Sequence, residues 1–201
     1  VDSERIGSVV ATNVDDYRTI RISGHYFADC TGDAVLGALA GAECVMGREP
    51  KSKFGEQSAP DVADGITLGA SVQWYSEDCG HPCGFPDIDW GLEMDEDSVQ
   101  KVRRGQWYWE VGMNDDQIRD CEKIRDYGMY VAYSNWSYIK NRASFREEYA
   151  GAELKWLSYY AGKRESRRIM GELVLTENDL RNFVLYEDGC VATSWYIDNH
   201  E

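Results

Sequence analysis

The most concentrated group of cations in the sequence lies at residues 163–168, where Lys163, Arg164, Arg167 and Arg168 surround Glu165. The rest of the chain is acidic, with 21 Lys and Arg in total against 36 Asp and Glu. An arginine can bind a carboxylate or another anionic group through two parallel hydrogen bonds. The sequence therefore offers an anion-binding segment here, although composition alone favours a solvated basic segment beside an acidic surface.

A second candidate element is the run Cys-Thr-Gly-Asp at residues 30–33. The residues before it, 25–30, have an apolar centre that is typical of a buried strand. The small apolar residues 34–40 predict a helix, with Asp33 as its N-cap and Gly41 as its end. A glycine turn between strand and helix lets a ligand approach the backbone and directs helix amides at an anion. Many such turns bind nothing, so this pattern alone is weak.

The cysteines and histidines form one close group, Cys79-Gly80-His81-Pro82-Cys83. A structural zinc site normally takes its ligands from two separated pairs, and no second pair is present in the sequence. A disulfide between Cys79 and Cys83, or two free thiols in a loop, is the preferred interpretation, and no metal site is predicted. His25 lies inside a predicted strand and is interpreted as structural.

Hydrophobic periodicity predicts the elements that must position these residues. The helix at 115–139 has apolar residues at helical spacing and begins after Asn114, and a second helix begins at Ser144, where Ser144 and Glu147 form a capping box. The predicted elements are strands at 8–12, 19–23, 66–75 and 168–175, and helices at 115–139, 144–162 and from 176 onward. This mixture predicts an α/β or α+β fold.

Net charge and hydropathy limit the partners. The formal net charge is −15, spread along the chain, which disfavours a nucleic-acid backbone or an anionic membrane surface as a partner. No apolar run is long enough to cross a bilayer, so no membrane insertion is predicted.

Taken in this order, the two candidate elements resemble a family of bacterial FAD-dependent oxidoreductases. The family has an ATGD- or CTGDG-like turn followed by small residues and Ala-Gly-Ala, which residues 30–33 and 40–42 match. It also has a GxRESRRIxGxYxLTxxD-like segment, matched here by residues 162–179 with Leu173 where an aromatic residue is common. Residues 196–200, Tyr-Ile-Asp-Asn-His, look like its Pro-Ile-Asp-x-His stretch with Tyr in place of Pro.

The resemblance implies an enzyme that transfers a hydride between a small polar organic substrate, for instance a sugar-derived one, and the flavin of FAD. It implies part of a two-domain FAD/NAD(P)-binding-like flavoprotein, mainly the substrate lobe. Residues 1–48 would belong to the FAD-binding domain and 49–170 to a loop-rich and helical substrate region. Residues 171–201 would form a strand and a helix that return toward the FAD domain. The implied cofactor-binding residues are Thr31, Gly32 and Asp33, and the implied catalytic residues are Arg164, Arg167, Arg168 and His200.

The main dinucleotide-binding fingerprint of flavoproteins, strand–GxGxxG–helix, does not occur in the 201 residues. We therefore expect an internal piece of a longer enzyme that is inactive alone, does not retain FAD, and depends on the rest of its own polypeptide. The alternative is a non-catalytic, acidic and aromatic-rich binding module, for instance for a glycan, since the chain has seven Trp.

Overall fold

A computed structural model describes residues 5–105, 109–192 and 196–197 of the chain. It has mixed helices and small antiparallel sheets, an α+β arrangement. The chain forms two compact units, one of Val1–Met46 with Arg167–Thr176, and one of Gly47–Ser166 with Glu177–Glu201. Because the chain passes from the second unit to the first between Ser166 and Arg167, the basic segment at 163–168 contributes residues to both.

The first unit begins with a hairpin of β1 (Ser8–Thr12) and β2 (Thr19–Ser23), which pair antiparallel with Val10 opposite Arg21. The alternation of apolar and polar residues in β2 predicts a strand, and the intervening loop closes through a bond from the Asn13 amide to the Arg18 carbonyl at 2.9 Å. Both predicted strands are therefore confirmed.

The same unit contains the short helix α1 (Val35–Ala40), and β3 (Cys44–Val45) pairs antiparallel with β7 (Arg168–Ile169). Gly41 ends α1 in the left-handed conformation, at φ 84°, and its amide bonds the Ala38 carbonyl. Glycine adopts this conformation without steric cost, and the predicted helix end is confirmed.

The second unit is built on a three-stranded sheet. Its strands are β4 (Trp74–Asp78), β5 (Arg104–Gly105) and β6 (Ala152–Leu157), in the order β5-β4-β6 and antiparallel throughout. The long helix α3 (Cys121–Asn141) packs on this sheet, and the unit also contains α2 (Lys51–Phe54), a 3-10 helix (Arg146–Tyr149) and α4 (Glu177–Arg181).

The hydrophobic core of the second unit lies between α3 and the sheet. Trp74 from β4 is 2% exposed and packs against Trp136 of α3, with ring centroids 5.4 Å apart. Most of the predicted apolar stripe of α3 is buried, although Cys121, which has the same spacing, is exposed. The buried members are Ile124, Gly128, Val131, Ala132, Trp136 and Ile139. The helix begins at Cys121, so the predicted cap at Asn114 is wrong.

The predicted helix from Ser144 to Gly162 is the largest error of the sequence interpretation. Residues Arg146–Tyr149 form one 3-10 turn, and Ala152–Leu157 form β6, which pairs with β4. Ser144 does not cap this turn, because its amide and hydroxyl bond the carboxylate of Glu96 at 2.7 and 3.0 Å. Pairing with a strand distant in sequence outweighs the local helix signal.

Three smaller predictions are also wrong. Residues 25–30 form no strand and Tyr26 is 95% exposed, because no described strand lies beside this stretch to complete its hydrogen bonds. The strand predicted at 66–75 begins at Trp74, and the strand predicted at 168–175 has only the two residues of β7. No helix in the described part of the chain is both long and apolar enough to span a membrane.

Candidate functional site

The turn before α1 is held by a network centred on Asp29. One oxygen of its carboxylate accepts hydrogen bonds from the Thr31 amide at 3.0 Å and the Thr31 hydroxyl at 2.7 Å, and the other accepts from the Gly37 amide at 2.9 Å. The Thr31 Oγ1 in turn accepts from the Val35 amide at 2.9 Å. These bonds, the Thr31 hydroxyl first, lower the pKa of Asp29 below its ordinary value.

The helix cap therefore differs from the predicted one. The residue before α1 is Ala34, whose backbone is in the left-handed conformation at φ 51°. Its methyl side chain cannot form a capping hydrogen bond with the helix. Asp33 was expected to accept from the first helix amides, but Thr31 and Asp29 take that role. Thr31, Gly32 and Asp33 still form the turn that leads into the helix, but the strand expected before it is absent from the described residues.

The first unit brings this turn together with the Arg-Arg-Ile part of the basic segment. Arg167 donates from Nε to the carbonyl oxygen of Asp33 at 2.9 Å, across 134 positions of sequence. Ile169 packs on α1 so closely that a Cβ at Gly37 would lie 2.5 Å from its Cδ1. The two motifs that the sequence singled out thus share one small structure, and Arg167 holds the turn through its backbone.

The other half of the basic segment lies in the second unit. Arg164 forms an ion pair with Glu110, whose side chain is 10% exposed. Glu165 accepts a hydrogen bond from the Leu68 amide at 2.9 Å, and Ser166 is 3% exposed. Residues 162–166 run beside the segment near 70, since Ser71 and Gly162 exchange backbone bonds of 3.2 and 2.8 Å. Arg164 and Glu165 thus have structural partners in this unit.

The described residues place the histidines apart from these motifs. His25 and His81 are exposed. His200 lies outside the described residues, so its predicted catalytic role is an expectation on sequence alone. Lys163 and Arg168 both have partners, and Arg168 lies in β7 opposite Val45.

The thiols of Cys79 and Cys83 lie at the loop before β6. Cys79 Sγ donates to the Gly151 carbonyl at 3.1 Å and Cys83 Sγ to the Ala152 carbonyl at 3.2 Å, and both cysteines are free. Burial is the main reason that the pKa of Cys83 is raised. No group of three potential metal ligands occurs in the described ranges, and the absence of structural zinc remains a prediction.

Sequence reasoning missed Lys140, which stabilises this loop. Its ammonium donates to the carbonyls of Tyr149, Ala150 and Ala152 at 2.7, 3.0 and 2.9 Å. The signal that could have found it is its position four residues after Trp136, on the buried face of α3.

Sequence reasoning also missed a cavity on the sheet of the second unit. Tyr75 stands in β4 directly opposite Arg104 in β5 and Trp156 in β6. The rings of Tyr75 and Trp156 stack with centroids 5.9 Å apart and an angle of 28° between their planes. The cavity has a volume of about 330 Å³, and its lining residues are Gln73, Trp74, Tyr75, Glu77, Arg104, Gly105 and Trp156.

The chain as a whole matches one protein family. Residues 1–201 match the family described as FAD dependent oxidoreductase, and the chain belongs to it. The family's cofactor is FAD, and its members are flavoproteins and oxidoreductases that act on small molecules. No curated protein and no solved structure matches the chain.

The turn at Thr31–Asp33 does not fit the pyrophosphate of FAD. Helix amides bind phosphate when they point at it unpaired. Here the amides of Val35 and Gly37 are already bonded by Thr31 and by the carboxylate of Asp29. Asp29 would also place its negative charge next to the phosphates. Among the described residues, this turn therefore provides no pyrophosphate cradle.

Proposed function

We propose that the protein containing this chain transfers a hydride between a small polar organic substrate and the flavin of FAD. The observation that carries the proposal is the match of residues 1–201 to the FAD dependent oxidoreductase family. The flavin supplies the hydride chemistry, and the protein binds and orients the substrate. Within this proposal the substrate is sugar-derived, which the chain's many aromatic residues support because aromatic rings stack on sugar rings.

In this proposal the chain supplies the substrate side, with Arg164, Arg167, Arg168 and His200 as the residues that face substrate or flavin. The pyrophosphate cradle comes from elsewhere in the same polypeptide, because the 201 residues have no GxGxxG sequence and the turn at Thr31–Asp33 has its amides paired. Contacts of Thr31, Gly32 and Asp33 with FAD would then be limited to uncharged parts of the cofactor.

The test is to replace Arg164, Arg167 and Arg168 one at a time by Lys in the protein that contains this chain. Lysine keeps the charge and loses the planar fork, so an arginine that binds a carboxylate or a flavin carbonyl loses function on this change. Flavin content is measured by absorbance after purification, and turnover by anaerobic reduction of the bound flavin with polyols and aldoses. Arg119→Lys is the matched control, because Arg119 is 78% exposed and pairs only with its neighbour Asp120 among the described residues.

We expect at least one of the three variants to lose flavin content or turnover while Arg119→Lys keeps both. Survival of both properties in all three variants would assign the segment a structural role alone. The second candidate function is a non-catalytic, aromatic-rich binding module. The observation that favours it is the aromatic cavity on the sheet, and a protein that binds glycan but never carries flavin would support it.

A further inference from the structure

The cavity on the β5-β4-β6 sheet has polar groups that the protein does not use. Within the described part of the chain, the side chains of Gln73, Glu77 and Arg104 form no hydrogen bond or ion pair, although all three line the same cavity. A concave surface lined by aromatic rings and a few converging polar groups is the usual form of a ligand site. The volume of about 330 Å³ is at the lower end of the roughly 300–1,000 Å³ of known ligand sites.

The aromatic part of the cavity is fixed by the sheet. Tyr75 and Trp156 occupy directly paired positions on neighbouring strands, so their stacking follows from strand register. Trp156 is 45% exposed, so its indole presents surface to solvent. Trp74, the neighbour of Tyr75 in β4, points its indole to the other face of the sheet, where it packs on Trp136 in the core. A ligand would therefore meet a surface that is already in place, which reduces the entropy cost of binding.

Gly105 leaves room for Trp74 on the core side of the same sheet. A Cβ at this position would lie 1.9 Å from the Nε1 of Trp74, so any side chain would displace the indole from its place. Since Gly105 is opposite Trp74 in the strand pairing, the indole occupies the space that a side chain on β5 would fill. The packing of the sheet on the core thus depends on a glycine.

The charges of the lining select a neutral ligand. Arg104 supplies donors and a positive charge, Glu77 supplies acceptors and a negative charge, and Gln73 supplies both kinds of group without charge. Because Arg104 attracts the anion that Glu77 repels, and Glu77 attracts the cation that Arg104 repels, the lining favours no net charge of either sign. A ligand that is neutral, carries several hydroxyl groups and has an apolar face satisfies both the polar side chains and the aromatic rings. A pyranose ring has these three properties.

We propose that this cavity is a binding site for one pyranose ring of a neutral saccharide, stacked on Trp156 and Tyr75 and hydrogen-bonded by Arg104, Glu77 and Gln73. The site lies wholly within the second unit; the proposal deepens the second candidate function, the aromatic-rich binding module, and does not rest on the proposed hydride transfer. Binding and redox turnover are measured separately, so either proposal can fail while the other stands.

The test is calorimetric titration of the protein that contains this chain with glucose, galactose, mannose, maltose and cellobiose. Glucose 6-phosphate and glucosamine are the charged counterparts. We expect at least one neutral sugar to bind, and Trp156→Ala to weaken its affinity about tenfold, the effect of losing an aromatic stacking surface. Glu77→Gln, which changes only an exposed side chain, should weaken it severalfold and provides a second variant if Trp156→Ala is unstable.

Trp90→Ala is the matched control, because Trp90 is also exposed and stacks on a tyrosine, Tyr130, with centroids 6.0 Å apart, but does not line the cavity. Its affinity for the sugar should stay within about twofold of the parent protein. Three results overturn the proposal: no neutral sugar binds, Trp156→Ala and Glu77→Gln both bind as the parent does, or Trp90→Ala weakens binding as much as Trp156→Ala. Tighter binding of the charged counterparts also overturns it.

Discussion

The turn before α1 and the cavity on the β5-β4-β6 sheet both contain several polar groups, but they use them in opposite ways. In the turn, the Thr31 hydroxyl donates to the Asp29 carboxylate at 2.7 Å, and both groups accept from neighbouring amides at 2.9 to 3.0 Å. In the cavity, Gln73, Glu77 and Arg104 bond no described residue. The sequence of the first region resembles a cofactor-binding motif, whereas the residues that line the second form no sequence motif.

The difference shows that a sequence motif and a ligand-binding site need not lie at the same residues. A hydrogen-bonding group that is satisfied within the chain gains little from a ligand, because each new bond replaces an existing one. A group that faces a cavity and bonds only water can exchange that water for a ligand. Stability and binding measurements should therefore respond in opposite ways when polar groups are removed from the two regions.

The largest expected effect is a loss of stability in Gly105→Ala, which changes the sheet that carries the cavity. The new methyl would overlap the indole of Trp74, which is buried and packed on Trp136, so the strand or the ring must move. Overpacking of this kind costs about 3 kcal/mol of unfolding free energy. Urea denaturation followed by tryptophan fluorescence measures it.

The control for this variant is Gly84→Ala. A Cβ at Gly84 has no atom within 4 Å, so the unfolding free energy should change by less than about 1 kcal/mol. Equal unfolding midpoints for Gly105→Ala and the parent protein would show that the indole of Trp74 does not occupy the position described.

Thr31→Val is expected to have the next largest effect. Valine keeps the shape but removes the acceptor for the Val35 amide and the donor to Asp29, bonds of 2.9 and 2.7 Å. Loss of a capping hydroxyl costs about 1 kcal/mol. The same urea measurement should show this decrease, and Thr12→Val, an exposed threonine at the end of β1, should show almost none. A Thr31→Val protein as stable as Thr12→Val contradicts the described network.

The sequence predicted those elements whose signal is local. The hairpin at residues 8–23 and the apolar stripe of α3 follow from alternation and from helical spacing within one segment. The strand β6 was missed because its partner β4 lies more than seventy positions earlier, and because the Ser144–Glu147 pair imitates a helix start. The bond from Ser144 to Glu96 that removes this cap is also non-local.

The candidate site divides in the same way. Resemblance to the family selected the turn at 30–33 and the segment at 162–179, and the bond between Arg167 and Asp33 joins part of the two. Residue types alone could not show that Arg167 bonds a backbone carbonyl while Arg164 pairs with Glu110. The cavity could not be seen because its parts, Tyr75, Arg104 and Trp156, meet only through strand register.

A smaller effect is expected from pH on the Asp29 network. The folded pKa of Asp29 is below its ordinary value of about 3.9, so the unfolded chain takes up a proton first as pH falls. The stabilisation by this carboxylate is therefore complete above the ordinary value and is lost as pH falls through the lowered one.

Comparison with Asp29→Asn isolates this contribution from those of other carboxylates. At about pH 7 the variant should unfold at a lower urea concentration than the parent, since an amide nitrogen cannot accept from the Gly37 amide. At about pH 3 the difference between the two proteins should shrink. A difference that is the same at both pH values would mean that the charge of Asp29 contributes nothing.

The smallest effect on stability is expected for the charged residues of the cavity, and it gives the most direct test of the difference between the two regions. Arg104→Gln and Glu77→Gln each remove a charge from the cavity, and neither side chain forms a hydrogen bond or ion pair within the described ranges. Surface changes that break no interaction alter the unfolding free energy by no more than about 0.5 kcal/mol. Both variants should therefore unfold at the same urea concentration as the parent, while their affinity for a neutral sugar falls.

Urea denaturation and sugar titration of Thr31→Val should give the reverse result, with lower stability and unchanged sugar affinity. If Arg104→Gln or Glu77→Gln destabilises the protein as much as Thr31→Val does, these side chains have structural partners, and the cavity loses the unused polar groups that mark it as a binding site.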